Sequence, residues 1–197
     1  TDYLTENVGY WYAERTTPDD TLGPTPTDGA SVTLTMPSAS DLLVVTSSQI
    51  DIDSGGGTVF IRSKLIRSGE ASSSNPAADF QPADVGTIYV IGLARVFAVG
   101  TGSNTFKEQA ESGAAATHVR RYSNVFVLNL NRFTAHAATY VSGATTLGTS
   151  EYGNTLASVV ITPVVPGDIW VGASLIGSRV ATNGDVEARM QIDGTDA

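Results

Sequence analysis

The chain has no cysteine. Disulfides, thiolate metal centres and cysteine nucleophiles are therefore excluded, and a bacterial or viral source fits a cysteine-free extracellular protein better than an animal one. Charge is also scarce. Asp, Glu, Lys and Arg make up 16% of the 197 residues, well below the usual quarter. The surface must then be covered largely by hydroxyls and amides, as in extracellular β-proteins, virion proteins and secreted carbohydrate-binding modules. Positive charge is scarcest: 11 basic residues face 20 acidic ones, for a net charge of -9. That balance argues against nucleic acid, whose phosphates demand a basic face, and against anionic membranes. No window approaches the roughly 18 apolar residues of a membrane span. Helical periodicity is rare too; its best stretch, Asn104–Ala116, has flanks that favour a strand and a loop.

What remains is a series of short β-branched runs bounded by Gly, Ser, Asp and Pro. They fall at Ser31–Met36, Leu42–Ile52, Thr58–Ile66, Ile88–Val99, Thr105–Ala110, Asn124–Phe133, Ser158–Thr162, Ile169–Val180 and Val186–Ile192. Strands at this spacing predict an all-β fold, an antiparallel β-sandwich or jelly roll. Thr16–Ala30, with three prolines, reads as an extended connector. Ahead of it stands the aromatic cluster Tyr10, Trp11 and Tyr12. It reads first as an edge strand packed on the sandwich, and second as a stacking platform or subunit contact.

A strand–turn–strand unit recurs. Leu42–Glu70, Ile88–Ala116 and Ile169–Ala197 align without gaps, with Val44, Val90 and Val171 in register and Gly-containing turns in the middle. The turn chemistry predicts a β-hairpin in each unit. The first and third units match further: Ser31, Val32, Asp41, Val44, Gly57 and Val59 recur as Ser158, Val159, Asp168, Val171, Gly184 and Val186. The implied organisation is an N-terminal arm over 1–30, a complete sandwich over 31–133, a connector over 134–157 and a partial second module over 158–197. A half sandwich exposes an apolar face and bare edges. The last hairpin is therefore expected to belong to a longer tandem array or to dock on other β-structure by strand addition.

Residues with chemistry to offer are few. His118 and His136 have no ligand partners at metal spacing and read as ordinary surface or loop histidines. No Gly-x-Ser-x-Gly elbow supports a serine triad. Asp51 and Asp53 share a strand face that runs into Ser54–Gly57. Such an oxygen-rich turn is a weak Ca²⁺ candidate, but the bidentate acid of a calcium loop is missing, and a solvated face is the first reading. The basic doublet Arg120–Arg121 reads as a gatekeeper before the closing strand, with contact to an acidic neighbouring subunit as the second reading. No cofactor is expected.

The segment Pro166–Thr195, PGDIWVGASLIGSRVATNGDVEARMQIDGT, resembles the front half of jelly-roll modules in bacteriophage and other viral structural proteins. Gly102–Leu130, GSNTFKEQAESGAAATHVRRYSNVFVLNL, resembles their back half. These modules are similar in shape to trimeric domains of the TNF/C1q type. The first copy departs from the pattern, with Ser40–Asp41 in place of Gly-Asp and Arg67–Gly69 in place of Asp-Gly-Thr. The resemblance implies a non-enzymatic virion or extracellular protein, a fibre, decoration or appendage module. Its partners would be other copies of itself or another capsid or tail protein. The alternative is a secreted carbohydrate-binding or adhesin module that meets a surface glycan through Tyr10, Trp11, Tyr12 or Trp170.

Overall fold

The computed structural model describes residues 9–15, 20–52, 60–70, 77–80, 86, 88–113, 118–133, 135–139, 158–162, 191–192 and 195–196. The chain divides into two compact units, Thr1–Arg132 and Phe133–Ala197. The first is an all-β antiparallel sandwich. Its strands are β1 (Tyr10–Arg15), β2 (Asp20–Leu22), β3 (Thr27–Met36), β4 (Ser40–Ile52), β5 (Ile61–Arg67), β6 (Ala77–Phe80), β7 (Ile88–Val99), β8 (Gly102–Ser112) and β9 (His118–Asn129). One sheet has the order β1-β9-β4-β7, with β2 also paired to β9; the other has the order β3-β8-β5-β6.

Period-two patterning drives both sheets. Along β4 every second residue from Ser40 to Ile52 is buried, and the residues between are half-exposed. On β3 the inward set is Ala30, Val32, Leu34 and Met36. These meet Leu42, Val44, Leu93, Phe97, Phe106, Val125 and Val127 in the larger core cluster. Phe97 of one sheet and Phe106 of the other touch across it, with ring centroids 5.2 Å apart. Leu22, Ile50, Ile52, Ile61 and Ala110 form a second, smaller cluster. Each Val, Leu, Ile, Met or Phe among them, fully buried, contributes about 1.5–3 kcal/mol.

The first two repeated units are not hairpins; most of the third lies outside the described residues. β4 pairs with β7 and β9, whereas β5 pairs with β6 and β8. β7 likewise pairs with β4, and β8 with β3 and β5. Each of these two units therefore crosses from one sheet to the other. Both of its strands carry an apolar face, and each buries that face against the other's across the core rather than lying beside it. Only Gly100 and Thr101 separate β7 from β8, and Gly102 follows at φ 99°. The expected connector also differs: Asp20–Leu22 is a strand, and β3 already begins at Thr27. Pro24 and Pro26 stand between these two strands, where no ladder needs their missing N–H.

In the second unit Gln191–Ile192 (β10) and Thr195–Asp196 (β11) pair antiparallel. Ser158–Thr162 is not a strand, and Val159 and Val160 are exposed. The expected strand Ile169–Val180 lies outside the described residues.

Candidate functional site

Strand alternation splits the N-terminal aromatics. Trp11 and Ala13 turn inward and pack against the larger core cluster. Tyr10 and Tyr12 point outward. Tyr10 stacks on Phe126 at a centroid distance of 6.1 Å. The hydroxyls of Tyr12 and Tyr122 lie 2.8 Å apart, and Tyr12 donates to Glu14 Oε2 at 2.8 Å. The bond to Tyr122, then that to Glu14, raises the Tyr12 phenol above its ordinary range. Trp170 and Asp53 lie outside the described residues. Asp51 accepts from Arg121 Nη2 at 2.9 Å, so a cation already meets its carboxylate. Among the described residues, no group of three or more His, Asp or Glu is placed to hold a metal ion.

The register of the first sheet extends Tyr10 and Tyr12 into an apolar surface. Tyr10, Leu128, Leu43 and Val96 form one row across β1, β9, β4 and β7. Tyr12, Phe126, Val45 and Ala94 form the next. Glu14, Asn124, Ser47 and Gly92 follow, and then Tyr122, Gln49 and Val90. On the edge strand β7, Val90 is 72% exposed and Ile88 52%. A β-sheet with one solvated face normally alternates apolar and polar. Here the outward face is apolar over its first two rows.

Between the two core clusters runs a polar seam that the sequence reading missed. Glu108 of β8 is 0% exposed and Arg120 of β9 is 2% exposed. Arg120 Nη1 donates to Glu108 Oε2 at 2.8 Å, which ties the two sheets together. Arg120 also donates to the carbonyls of Thr27 (3.0 Å) and Asp28 (2.8 Å). Ser63 donates to Glu108 Oε1 at 3.3 Å and lies 3.2 Å from Ser48. Ser123 accepts the Ala30 N–H at 2.8 Å. His118 is fully buried, with Nδ1 3.1 Å from Ser112 Oγ. Arg120 is thus no gatekeeper and His118 no surface histidine.

Two irregularities place this pair. In β9 the register against β4 passes from Tyr122↔Gln49 to Arg120↔Ile50, so Arg121 is an extra residue. This bulge changes which parity faces inward. Ser123, Val125 and Val127 are buried on one side of it, and Arg120 and His118 on the other. In β3 the register shifts between Asp28 and Ser31, where Gly29 and Ala30 oppose Glu108 alone. A Cβ at Gly29 would overlap Glu108 Oε2. Glycine there lets the backbone reach the guanidinium.

Burial pushes the Glu108 carboxyl up to about 7, with Arg120, Ser63 and Ser48 pulling against it. That value suits a general acid or base. The geometry does not: the carboxyl has no exposed surface, and protein donors bond both its oxygens.

No family model and no curated protein matches this chain. Among solved structures, a chain in the structure of infectious bursal disease virus, Gt strain, is similar at a TM-score of 0.46 and 12% identity. The match covers 63% of this chain and 34% of that one, so it spans about a third of the viral chain.

Proposed function

We propose that this protein is a non-enzymatic structural module of a virion, a fibre, decoration or appendage component, which works by packing its first sheet against further copies of itself. One observation carries the reading: the outward rows Tyr10–Leu128–Leu43–Val96 and Tyr12–Phe126–Val45–Ala94. Large contiguous apolar patches on soluble proteins mark interaction sites. These two rows run across four strands and hold no charged residue, which suits the matching face of a second copy better than a small ligand. The strand orders β1-β9-β4-β7 and β3-β8-β5-β6 support a jelly roll of the TNF/C1q type, with neighbouring strands drawn from distant parts of the chain.

Sedimentation equilibrium of the purified chain tests this. The wild type is expected to be a stable oligomer at micromolar concentration. Val45→Asp places a carboxylate in the middle of the face, where burial without a partner costs several kcal/mol. The variant is expected to sediment as a monomer with an unchanged far-UV CD spectrum. A monomeric wild type, or a Val45→Asp variant that assembles like the wild type, refutes the proposal.

A further inference from the structure

At one end of the first unit, the start of β1, the β3–β4 turn and a 3-10 turn at Leu130–Arg132 enclose a groove of about 490 Å³. Trp11, Met36, Ser38, Ser40, Asn129 and Arg132 are among its walls. Small-molecule sites commonly fall between about 300 and 1,000 Å³.

Asn129 is 8% exposed, and its orientation is fixed by its bonds. The backbone N–H of Asn131 donates to Asn129 Oδ1 at 3.0 Å. Only an oxygen accepts there, so the other limb of the amide is Nδ2. That nitrogen donates to no described residue, although it carries two N–H groups. It is open to solvent rather than buried, so its N–H groups can meet a ligand that enters the groove. The neighbouring Asn131 differs: it accepts from the Asp41 N–H at 3.1 Å and donates to the Ala39 carbonyl at 3.4 Å. The groove is thus braced by one asparagine and presents the donors of the other.

The remaining walls are built as well. The Asn129 N–H donates to the Gly9 carbonyl at 2.7 Å. Gly9 has φ 69°, and a Cβ there would crowd Arg132 Cγ and Asn129 Cβ at 3.2 Å. Glycine therefore admits the Arg132 stem over the strand end. Ser40 donates to the Ser38 carbonyl at 3.3 Å, which leaves its lone pairs as acceptors. Trp11 and Met36 form an apolar wall.

We propose that this groove binds one sugar unit of a glycan. A pyranose has an apolar C–H face and a rim of hydroxyls that both donate and accept. Trp11 and Met36 match the face. Asn129 Nδ2 donates to a hydroxyl oxygen, and Ser40 accepts from a hydroxyl. All of these residues belong to one chain, so the site does not depend on self-assembly.

The test uses the full chain and four probes: the methyl glycosides of α-mannose, β-glucose, β-galactose and N-acetyl-β-glucosamine. Binding is read by saturation-transfer NMR and calorimetry. At least one probe is expected to bind with a Kd of about 1 mM, roughly 4 kcal/mol. Asn129→Asp keeps the acceptor for the Asn131 N–H and removes the donors; it is expected to weaken binding at least about tenfold. Thr35→Trp, from the exposed rim, fills the groove and is expected to abolish binding whether or not Asn129→Asp folds. Thr33→Trp, exposed on the same strand outside the groove, is expected to bind like the wild type. Failure of all four probes overturns the proposal. So does binding that survives Thr35→Trp, or a folded Asn129→Asp variant that binds as tightly as the wild type.

Discussion

Replacing Glu108 and Arg120 singly and together separates a pair that stabilises from one that mainly specifies. A contacting charge pair attracts by about 4 kcal/mol at an effective dielectric constant of about 20. Removing two ions from water costs several kcal/mol each. The pair therefore roughly cancels, while either ion alone is expensive. Glu108→Leu leaves a guanidinium that cannot lose its proton, without its carboxylate and bonded to the Thr27 and Asp28 carbonyls. Arg120→Met leaves a carboxylate held by Ser63. Each single variant is expected to lose about 3–5 kcal/mol at pH 8. Lowering the pH to 5 is expected to reduce the loss for Arg120→Met, because Glu108 can then take a proton, but not for Glu108→Leu. The double variant should lose less than either single one, a coupling of at least about 3 kcal/mol. Urea unfolding followed by far-UV CD measures all four proteins. Losses that simply add, or a double variant worse than both singles, refute the reasoning.

Two further predictions concern the same seam. Gly29→Ala is expected to destabilise by about 2–3 kcal/mol in urea unfolding, since the added methyl overlaps Glu108 Oε2 and Ser123 Oγ, both buried in the seam. For pH, the Glu108 carboxyl rises from 4.5 to about 7 on folding. Between those values the folded protein holds the proton more firmly than the unfolded chain. This group's contribution therefore favours the folded state below pH 4.5 and is lost as pH rises to 7, by an amount on the order of 3 kcal/mol. Glu108→Gln should flatten that part of the stability profile measured by urea titration; an unchanged slope would show that another group sets it.

The strands themselves were legible, and for a plain reason. Val32, Leu34 and Met36 alternate with Ser31, Thr33 and Thr35, and period two has no other common cause. Ile88–Val99 was read with the bounds that the sheet shows. Pairing was not legible. A Gly-containing turn closes a hairpin and a sheet-crossing turn alike, and both leave the same alternation in the sequence. The apolar run predicts a closing strand over Asn124–Phe133, whereas the strand runs from His118 to Asn129. Its first half hid behind His118, Arg120 and Arg121, which read as solvated. For Glu108 a signal was present: Asn104, Phe106 and Ala110 share its parity, and all three are buried. For Arg120 there was none. With regular alternation from Val125 and Val127, Arg121 would face inward and Arg120 outward. A single bulged residue inverts that, and bulges carry no fixed sequence signature. Asn129 was missed because its role depends on Asn131 and Gly9, the latter far away in the chain.

The buried ion pair and the apolar outer face answer one another. Register in a sheet is normally specified because a one-residue slip would move the apolar set into water. In β9 that safeguard is weak. Its inward residues include Val125 and Val127, and its outward ones Phe126 and Leu128, so a slip exchanges one apolar set for another. A strand meant to present an apolar face to a partner needs a different device to hold its place. Arg120 supplies it, because only one register sets its guanidinium against Glu108 and the two β3 carbonyls. The apolar double variant Glu108→Leu/Arg120→Met should then remain folded but no longer hold one register. Its amide ¹H–¹⁵N spectrum is expected to show doubled or broadened β9 resonances where the wild type gives single sharp ones. A single sharp set from the double variant would mean that packing alone fixes the strand, and that the seam has no part in specifying the face.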